Sequence, residues 1–452
     1  MRMVCLSFLW VLERVVMIVF LSDLHIEDES VGKHNVSADA FPIFFEHLQR
    51  LGKRRSVKEL RIVLLGDTID LLRTSYWFDV DQEHRPWGWK QDSLAPLAMH
   101  TKIVLDKIID KNRNTFESIR QGVASLRKSI PTNVTFVVGN HDRLANISPV
   151  VRRRIRDVLG ETPIDDPFEE RFVCQRHGVV ALHGHQFDVY NHESVSDANR
   201  WGVPIGDPIT TELVARIPAC VLKEIERQSI VLSDEETEQI QKALERIEDV
   251  RPVFAVVDWL LSFVRHAPAL EQAMYRGLDE ALRMFRDLPF VRWWLDSHDT
   301  WTKWDDAADR LQWVMWIAGH VSLQTASRLG PAVERMLTAL QTADPYVIAA
   351  QQLSRQSGAP FVVMGHTHAP KQQALGLQPS QAASPVRRVY LNTGTWRPCH
   401  HRCADKSGFI VWKQMSYVIV YSPEERNSEG MPSFETWTGT LDSGESSHFA
   451  HH

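Results

Sequence analysis

The sequence lacks the features that mark several specialised classes of protein. Its five cysteines, at positions 5, 174, 220, 399 and 403, are too few and too scattered for a disulfide framework, so reduced thiols in a cytoplasm are expected. It has no uninterrupted apolar run of about 20 residues, which argues against a membrane span. A net charge of −6 without a long basic stretch disfavours a dedicated nucleic-acid-binding protein.

What is present suits a globular protein of one large domain or two. The chain has 452 residues, of which 44% are hydrophobic and 24% charged. Residues 3–21 are mostly apolar, but Glu13 and Arg14 interrupt them and no small-residue cleavage site follows. Met17 stands where such a chain would naturally start. Residues 1–16 are therefore expected to be an upstream extension.

Five short apolar runs share one feature: Asp, Asn or His follows the end of each. The runs are 16–22, 60–65, 134–138, 178–182 and 361–364. The motifs at their ends are Asp23-x-His25, Gly66-Asp67-x-x-Asp70, Gly139-Asn140-His141-Asp142, His183-Gly184-His185 and Gly365-His366-x-His368. Open α/β sheets place their chemistry at the carboxyl ends of strands. Buried polar groups without partners are costly, so a shared purpose is expected for these residues.

In this order, the five motifs resemble those of the calcineurin-like metallophosphoesterases, over roughly residues 15–200 and 355–420. The resemblance implies an α/β fold, a four-layer α/β/β/α sandwich built from residues 1–204 and 346–423. It also implies an enzyme that hydrolyses a phosphate ester or a pyrophosphate by means of a metal-bridging hydroxide. Its cofactors would be two divalent metal ions, and a mixed carboxylate, imidazole and amide set suits Mn, Fe or Zn.

The resemblance assigns a role to each motif residue. The implied metal ligands are Asp23, His25 and His368 for the first ion, Asn140, His183 and His366 for the second, and Asp67 as the bridge between them. His141 would face the substrate as general acid and phosphate stabiliser, with Asp142 orienting it. Three further residues keep two interpretations each. Asp70 either supports the metal ligands or caps a helix, His185 either lies near ligands and substrate or is packing, and Arg143 either contacts phosphate or lies on the surface.

The resemblance to one particular branch of this family is weaker. The segment 392–396, Asn-Thr-Gly-Thr-Trp, is similar to the UDP-2,3-diacylglucosamine pyrophosphatase branch of the family. That branch usually has Asp where this chain has His185, and it lacks a long helical insertion. A lipid-sugar substrate is therefore not carried over.

Residues 205–345 show almost no strand pattern and predict an all-α insertion, a candidate cap. Ser233 and Glu236 form a capping-box pattern, and Pro252 is placed to open another helix. Tryptophans at 293, 294, 301, 304, 313 and 316 predict either the packed core of this insertion or a face for substrate or oligomer contacts. Elsewhere the pattern predicts one helix within 101–128, strands at 409–412 and 417–421, and a loose polar tail at 424–452.

Two alternatives to this interpretation remain. The first is a nuclease of the same fold, which the acidic balance disfavours. The second is a non-catalytic scaffold on a phosphoesterase fold, as in the retromer subunit, although such proteins tend to lose residues of the His141 type. A small-molecule phosphoester is the expected partner, and the sequence specifies neither the substrate nor the oligomeric state.

Overall fold

The protein belongs to the α/β class, as predicted, and contains two mixed β-sheets. The computed structural model describes residues 16–33, 35–88, 94–192, 203–251, 255–264, 267–298, 344–378, 386–405, 407–422 and 434–441. Most of the predicted upstream extension and the tryptophans at 301, 304, 313 and 316 lie outside these residues. Val16, which the prediction placed in the extension, already belongs to the first strand.

The described strands are β1 (Val16–Leu21), β2 (Glu59–Leu65), β3 (Thr132–Val137), β4 (Arg171–Cys174), β5 (Val179–Leu182), β6 (Val250–Arg251), β7 (Phe361–Met364), β8 (Lys371–Gln378), β9 (Val386–Asn392), β10 (Pro398–Arg402), β11 (Phe409–Val420) and β12 (Phe434–Leu441). The described helices are α1 (Ala40–Arg54), α2 (Leu94–Lys111), α3 (Arg113–Arg127), α4 (Pro149–Val158), α5 (Gly206–Pro208), α6 (Ile217–Arg227), α7 (Asp234–Glu245), α8 (Val256–Val264), α9 (Pro268–Arg286), α10 (Pro289–His298) and α11 (Pro345–Ser357).

Each sheet contains a parallel group of strands. The first sheet has the order β3-β2-β1-β11-β10-β6, with β12 also paired to β11, and its strands β1, β2 and β3 are parallel. The second has the order β4-β5-β7-β9-β8, in which β5, β7 and β9 are parallel. Carboxyl ends of parallel strands lie at one edge of a sheet, so each sheet brings its motif loops together.

The side chains of β1 divide between two hydrophobic cores. Residues 16, 18 and 20 pack in one cluster with β5, β7 and β9 of the second sheet. Residues 17, 19 and 21 face the opposite way, into a cluster that includes apolar residues of α1, α2, α3 and α4. This division follows from the two-residue period of a strand. Helix α11 packs on the other side of the second sheet, where Ala350 is buried with Val362.

Local signals in the sequence set several helix boundaries. Ser148 begins α4 because its hydroxyl accepts a hydrogen bond from Val151 N and Pro149 fits the first turn. Asp344 begins α11 in the same way. That helix ends at Gly358, whose φ of 72° is in the left-handed region that glycine adopts without steric cost. The predicted capping box of Ser233 and Glu236 is confirmed.

The described part of the inserted segment is mostly helical but also joins the sheet. Helices α6, α7, α8 and α9 share one hydrophobic core with Phe409 of β11. Strand β6 pairs in parallel with β10 through residues 250 and 251. The prediction of an all-α insertion is therefore wrong at this strand. The two residues were too short a run to give a strand pattern, and they form a strand only because β10 offers an open edge.

Three other predictions are corrected. The helix predicted within 101–128 is two helices, because the Asn112 side-chain amide donates to the carbonyls of Glu27 (2.7 Å) and Ile108 (2.9 Å) at the break. The two strands predicted at 409–421 are the single strand β11. Part of the predicted loose tail is β12, where the ring of Trp437 stacks on Tyr417 at 5.3 Å.

Candidate metal centre

The five predicted motif loops converge where the parallel strands end. Backbone hydrogen bonds join the loops after β1, β2 and β3, including His25 N to Asp67 O (2.8 Å) and Leu71 N to His141 O (3.1 Å). Across the two sheets, His366 N donates to Asp23 Oδ2 at 3.0 Å. The side chains are therefore placed by backbone contacts between loops that are distant in sequence.

Six of the seven predicted ligands fall into two groups whose potential ligand atoms lie within 4.8 Å of one another. Asp23, His25 and His368 form the first group, and Asp67, His183 and His366 form the second. A third group contains His25, Asp67 and His141, so Asp67 also lies beside the first group. The seventh predicted ligand, Asn140, is buried and precedes His141, whose backbone N–H donates to Asp67 Oδ1 at 2.9 Å.

The backbone is strained at five of the predicted ligands. Eight non-glycine residues of the described part have a positive φ. Five of them are the predicted ligands Asp23 (55°), His25 (45°), Asp67 (50°), His366 (69°) and His368 (58°). Such conformations cost roughly 1–3 kcal/mol each and concentrate at functional sites. A shared function accounts for this concentration better than a turn does.

Two glycines make room for these side chains. A Cβ atom at Gly139 would collide with the Asp67 carboxylate. At Gly66, where φ is 85°, a Cβ would lie 2.5 Å from the His183 ring. Both motifs therefore need glycine because another side chain occupies the space.

In the carboxylates of Asp23 and Asp67, hydrogen bonds hold one oxygen in place and the other oxygen faces the centre. Oδ2 of Asp23 accepts hydrogen bonds from the Ser22 hydroxyl and from His366 N, whereas its Oδ1 is buried without a hydrogen-bond partner among the described residues. Oδ2 of Asp67 lies 3.1 Å from His183 Nε2 and 3.6 Å from His25 Nε2. Oδ1 of Asp23 lies 3.3 Å from His368 Nε2, so both inward oxygens face imidazole nitrogens.

The imidazoles and the amide follow the same arrangement. His183 donates from Nδ1 to the carbonyl of Leu65 at 2.9 Å, and its buried Nε2 has no aligned hydrogen-bond partner in the described part of the chain. His25 Nδ1 lies 3.0 Å from Asp70 Oδ2. Asn140 donates to Asn191 Oδ1 at 3.2 Å, which leaves its buried Oδ1 unpartnered within the same residues. Outer partners of this kind orient metal ligands. The inward atoms are oxygens and nitrogens that fit divalent cations.

The structure corrects the role of Asp142 and decides that of Asp70. Oδ1 of Asp142 accepts from Gly139 N at 2.5 Å and its Oδ2 accepts from Thr68 N at 2.9 Å, so it supports the loop backbone. It is Asp70 whose Oδ2 lies 2.9 Å from His141 Nδ1. Asp142 follows His141 in the sequence, but its carboxylate turns away from the ring and binds the N–H groups of Gly139 and Thr68. Of the two roles considered for Asp70, the structure supports contact with the centre and not helix capping. Its Oδ1 accepts from the N–H groups of Leu72 and Arg73 in a turn, and Thr74 caps the short helix that follows.

The other two undecided residues are now placed. His185 is a neighbour of the centre, with its ring 5.6 Å from that of His183 and 6.4 Å from that of His366. Arg143 is not a free surface residue. Its guanidinium binds the buried carboxylate of Asp207 and donates to the carbonyl of Pro86 at 2.8 Å. Arg143 therefore joins the His141 loop to the inserted segment.

Sequence reasoning missed Asp188, Asn191 and Arg251. Asp188 Oδ2 lies 2.9 Å from His366 Nε2 and also accepts from the Asn191 side chain at 2.9 Å. Because Asn191 binds Asn140, one loop connects two predicted ligands. A possible signal was the pair Asp188-x-x-Asn191 just after His185, since these residue types hold loops through side-chain hydrogen bonds. Arg251, which contacts His368, gave no such signal.

No family model and no curated protein matches this chain. Within the described residues, none of the helices has the length and apolar character needed to cross a membrane. The assignment of this centre therefore depends on its own geometry and chemistry.

Replacing Asp188 by asparagine is expected to weaken divalent-cation binding about 10- to 100-fold, the usual cost of losing an outer partner of a metal ligand. The reason is that His366 loses the carboxylate that orients its ring. Mn²⁺ titration calorimetry measures the effect. Asp165→Asn is the matched control, because that carboxylate is exposed and paired with Arg153 away from the centre. Equal affinities in the two variants would contradict the role of Asp188.

Cation affinity is expected to rise with pH near neutrality. Burial alone lowers the pKa of His183, but the carboxylates of Asp67 and Asp23 raise it to about 9. Below that pKa the metal-free imidazole holds a proton that a cation must displace, so affinity should fall about tenfold per pH unit. Mn²⁺ titrations at about pH 6.5, 7.5 and 8.5 test this slope. An affinity that does not change with pH would rule it out.

Proposed function

We propose that the protein is a two-metal phosphoesterase of the calcineurin-like type, acting on a small phosphate ester or a pyrophosphate. The observation that carries the proposal is the position of Asp67. Its carboxylate lies in a ligand group with His183 and His366 and also beside His25 of the other group. One side chain can therefore serve two cations. Enzymes that displace a leaving group from phosphorus often use such a pair of cations.

The packing of the layers supports this family assignment. The two sheets share a hydrophobic core, and helices pack on the outer face of each. Packing of this kind supports the α/β/β/α sandwich that the resemblance implies. The motif loops also lie at the carboxyl ends of the central strands, which is the usual place for an α/β active site.

The ligand set also suits the proposed chemistry. The residues that would hold the cations are Asp23, His25, Asp67, Asn140, His183, His366 and His368. This mixture of carboxylate, amide and imidazole groups fits Mn, Fe or Zn better than calcium. When bound, the two ions would neutralise phosphoryl oxygens and make water a nucleophile near neutral pH.

His141 is suited to assist the leaving group. Its side chain is 16% exposed, so the ring reaches the rim of the centre. Burial alone lowers the pKa of His141, whereas the carboxylates of Asp70 and Asp67 raise it to about 10. Without bound cations, these two carboxylates therefore favour the protonated ring. It can stabilise a phosphoryl oxygen and donate a proton to the departing oxygen, while Asp70 keeps it in position.

A hydrolysis screen tests the proposal. The protein would be freed of metal, reloaded with Mn²⁺, Fe²⁺ or Zn²⁺, and assayed with p-nitrophenyl phosphate, bis-p-nitrophenyl phosphate and nucleotide-sugar pyrophosphates. Turnover that appears with a cation and disappears on chelation is expected. Supercoiled plasmid DNA in the same screen tests the nuclease alternative. Binding of cations without hydrolysis of any substrate would favour the scaffold alternative instead.

A further inference from the structure

Arg251 brings a guanidinium from the inserted segment to the edge of the candidate metal centre. It lies in β6 and is half-buried. Its Nη1 donates to the carbonyls of Glu248 (2.6 Å) and Val250 (3.0 Å), and its Nη2 lies 3.0 Å from Nδ1 of His368. A side chain from the insertion therefore contacts a predicted ligand of the first cation.

A buried ion network fixes the turn that carries Arg251. Arg73 binds Glu248 at 2.9 Å, and Arg397 binds Asp249 at 2.8 Å. Both arginines are only 3% exposed. Strand pairing between residues 251 and 401 holds the other side of the same turn. The guanidinium of Arg251 is consequently presented by a rigid support.

Arg251 differs from the neighbouring arginines in its counter-charge. Arg73, Arg397 and Arg143 each bind carboxylates. Among the described residues, Arg251 forms no ion pair with a carboxylate. Its contacts are two backbone carbonyls and one imidazole nitrogen, so it retains a positive charge at the rim. A cation in this situation favours an anionic ligand.

The contact with His368 and a cation on His368 exclude each other. A guanidinium only donates hydrogen bonds, so Nδ1 of His368 must accept and therefore carries no proton. A neutral imidazole then has its proton on Nε2, the atom that lies 3.3 Å from Asp23 Oδ1. If a cation were held at Nε2, the proton would be on Nδ1, which could not then accept from Arg251. A loaded centre would therefore leave the guanidinium free of this imidazole.

We infer that Arg251 binds a phosphoryl oxygen of the substrate once its contact with His368 is released. This inference rests on the proposed function and deepens it, because it gives the inserted segment a direct part in substrate recognition. The guanidinium fork matches two oxygens of one phosphoryl group, which an ammonium group does not. Arg251 is thus a substrate-binding residue that comes from the inserted segment and not from the five motif loops.

The test uses the full-length protein loaded with Mn²⁺ and inorganic phosphate as the probe. Wild type, Arg251→Gln and Arg251→Lys are compared by titration calorimetry, with Mn²⁺ content and Tm measured for each. Arg283→Gln is the matched control, because Arg283 is exposed and paired with Glu280 on α9. Loss of charge-assisted hydrogen bonds should weaken phosphate binding about 10- to 100-fold in Arg251→Gln. The phosphate affinity of Arg251→Lys should lie between those of wild type and Arg251→Gln. The Mn²⁺ affinity of both variants should be unchanged or higher than that of wild type.

Two results would overturn the inference. One is a phosphate affinity in both Arg251 variants that matches wild type and Arg283→Gln. The other is a loss of Mn²⁺ that parallels the loss of phosphate, which would make Arg251 a structural support for His368. The proposed function fails separately. If the wild type binds phosphate through Arg251 but hydrolyses no ester or pyrophosphate, the binding role stands and the enzymatic assignment falls.

Discussion

Replacing His141 by alanine is expected to lower kcat about 100- to 10,000-fold, the range typical of a lost general acid. Cation content should not change, because His141 is not among the predicted ligands and the backbone contact of residue 141 with Asp67 does not need the ring. Turnover of the best substrate from the screen and metal analysis of the same sample measure the two effects. His100→Ala is the control, since that half-buried ring binds Tyr76 away from the centre.

The metal analysis separates two roles for His141. Its ring lies close enough to His25 and Asp67 to form a third group of potential ligands. If His141→Ala loses a cation together with its activity, the residue is a ligand and its assignment as general acid is wrong. The ring of His141 also lies at a steep angle to that of His25, in a T-shaped contact with centroids 4.7 Å apart. Asp70→Asn should give a smaller loss of kcat, because the ring remains but loses its partner.

Replacing Asp67 by asparagine is expected to have the largest effect on the centre as a whole. The amide keeps the shape of the side chain but removes the charge that both groups of ligands share. Cation content should fall from two ions per chain to one or none. A metal contribution of several kcal/mol corresponds to a loss of activity of about 1,000-fold or more.

Asp142→Asn is the matched comparison for Asp67. It changes a neighbouring buried carboxylate that binds the backbone N–H groups of Thr68 and Gly139 and has no hydrogen bond to a predicted ligand side chain in the described part of the chain. This variant should lose about 1–3 kcal/mol of stability and still bind both cations. If the two variants lose cations equally, Asp67 is not the shared ligand. Cation content is measured by metal analysis after dialysis. The free energy of unfolding is measured by urea denaturation of the metal-free proteins.

The sequence predicted the parts of the centre that local rules determine. Apolar runs that end in glycine and a polar residue marked the strands and the loops after them, because those residues have no other use at a buried strand end. The structure brings the predicted ligands together at these ends. Spacing also identified the pair His366-x-His368, whose two side chains serve different groups.

The parts that the sequence did not predict depend on contacts between distant segments. The choice of Asp70 rather than Asp142 as partner of His141 depends on how the turn after β3 is folded. The position of Arg251 depends on a two-residue strand that pairs with a segment about 150 residues later. Strand β12 lies within a polar tail and forms because β11 has a free edge. No local pattern contains this information.

The most direct test of the account is a crystal structure of the Mn²⁺-loaded protein with anomalous scattering from the metal. Two anomalous peaks about 3.5–4 Å apart, one on each side of the Asp67 carboxylate, are predicted. The first should contact Asp23, His25 and His368, and the second Asn140, His183 and His366. A map with no peak at Asp67, in a protein soaked with saturating Mn²⁺, would contradict the account.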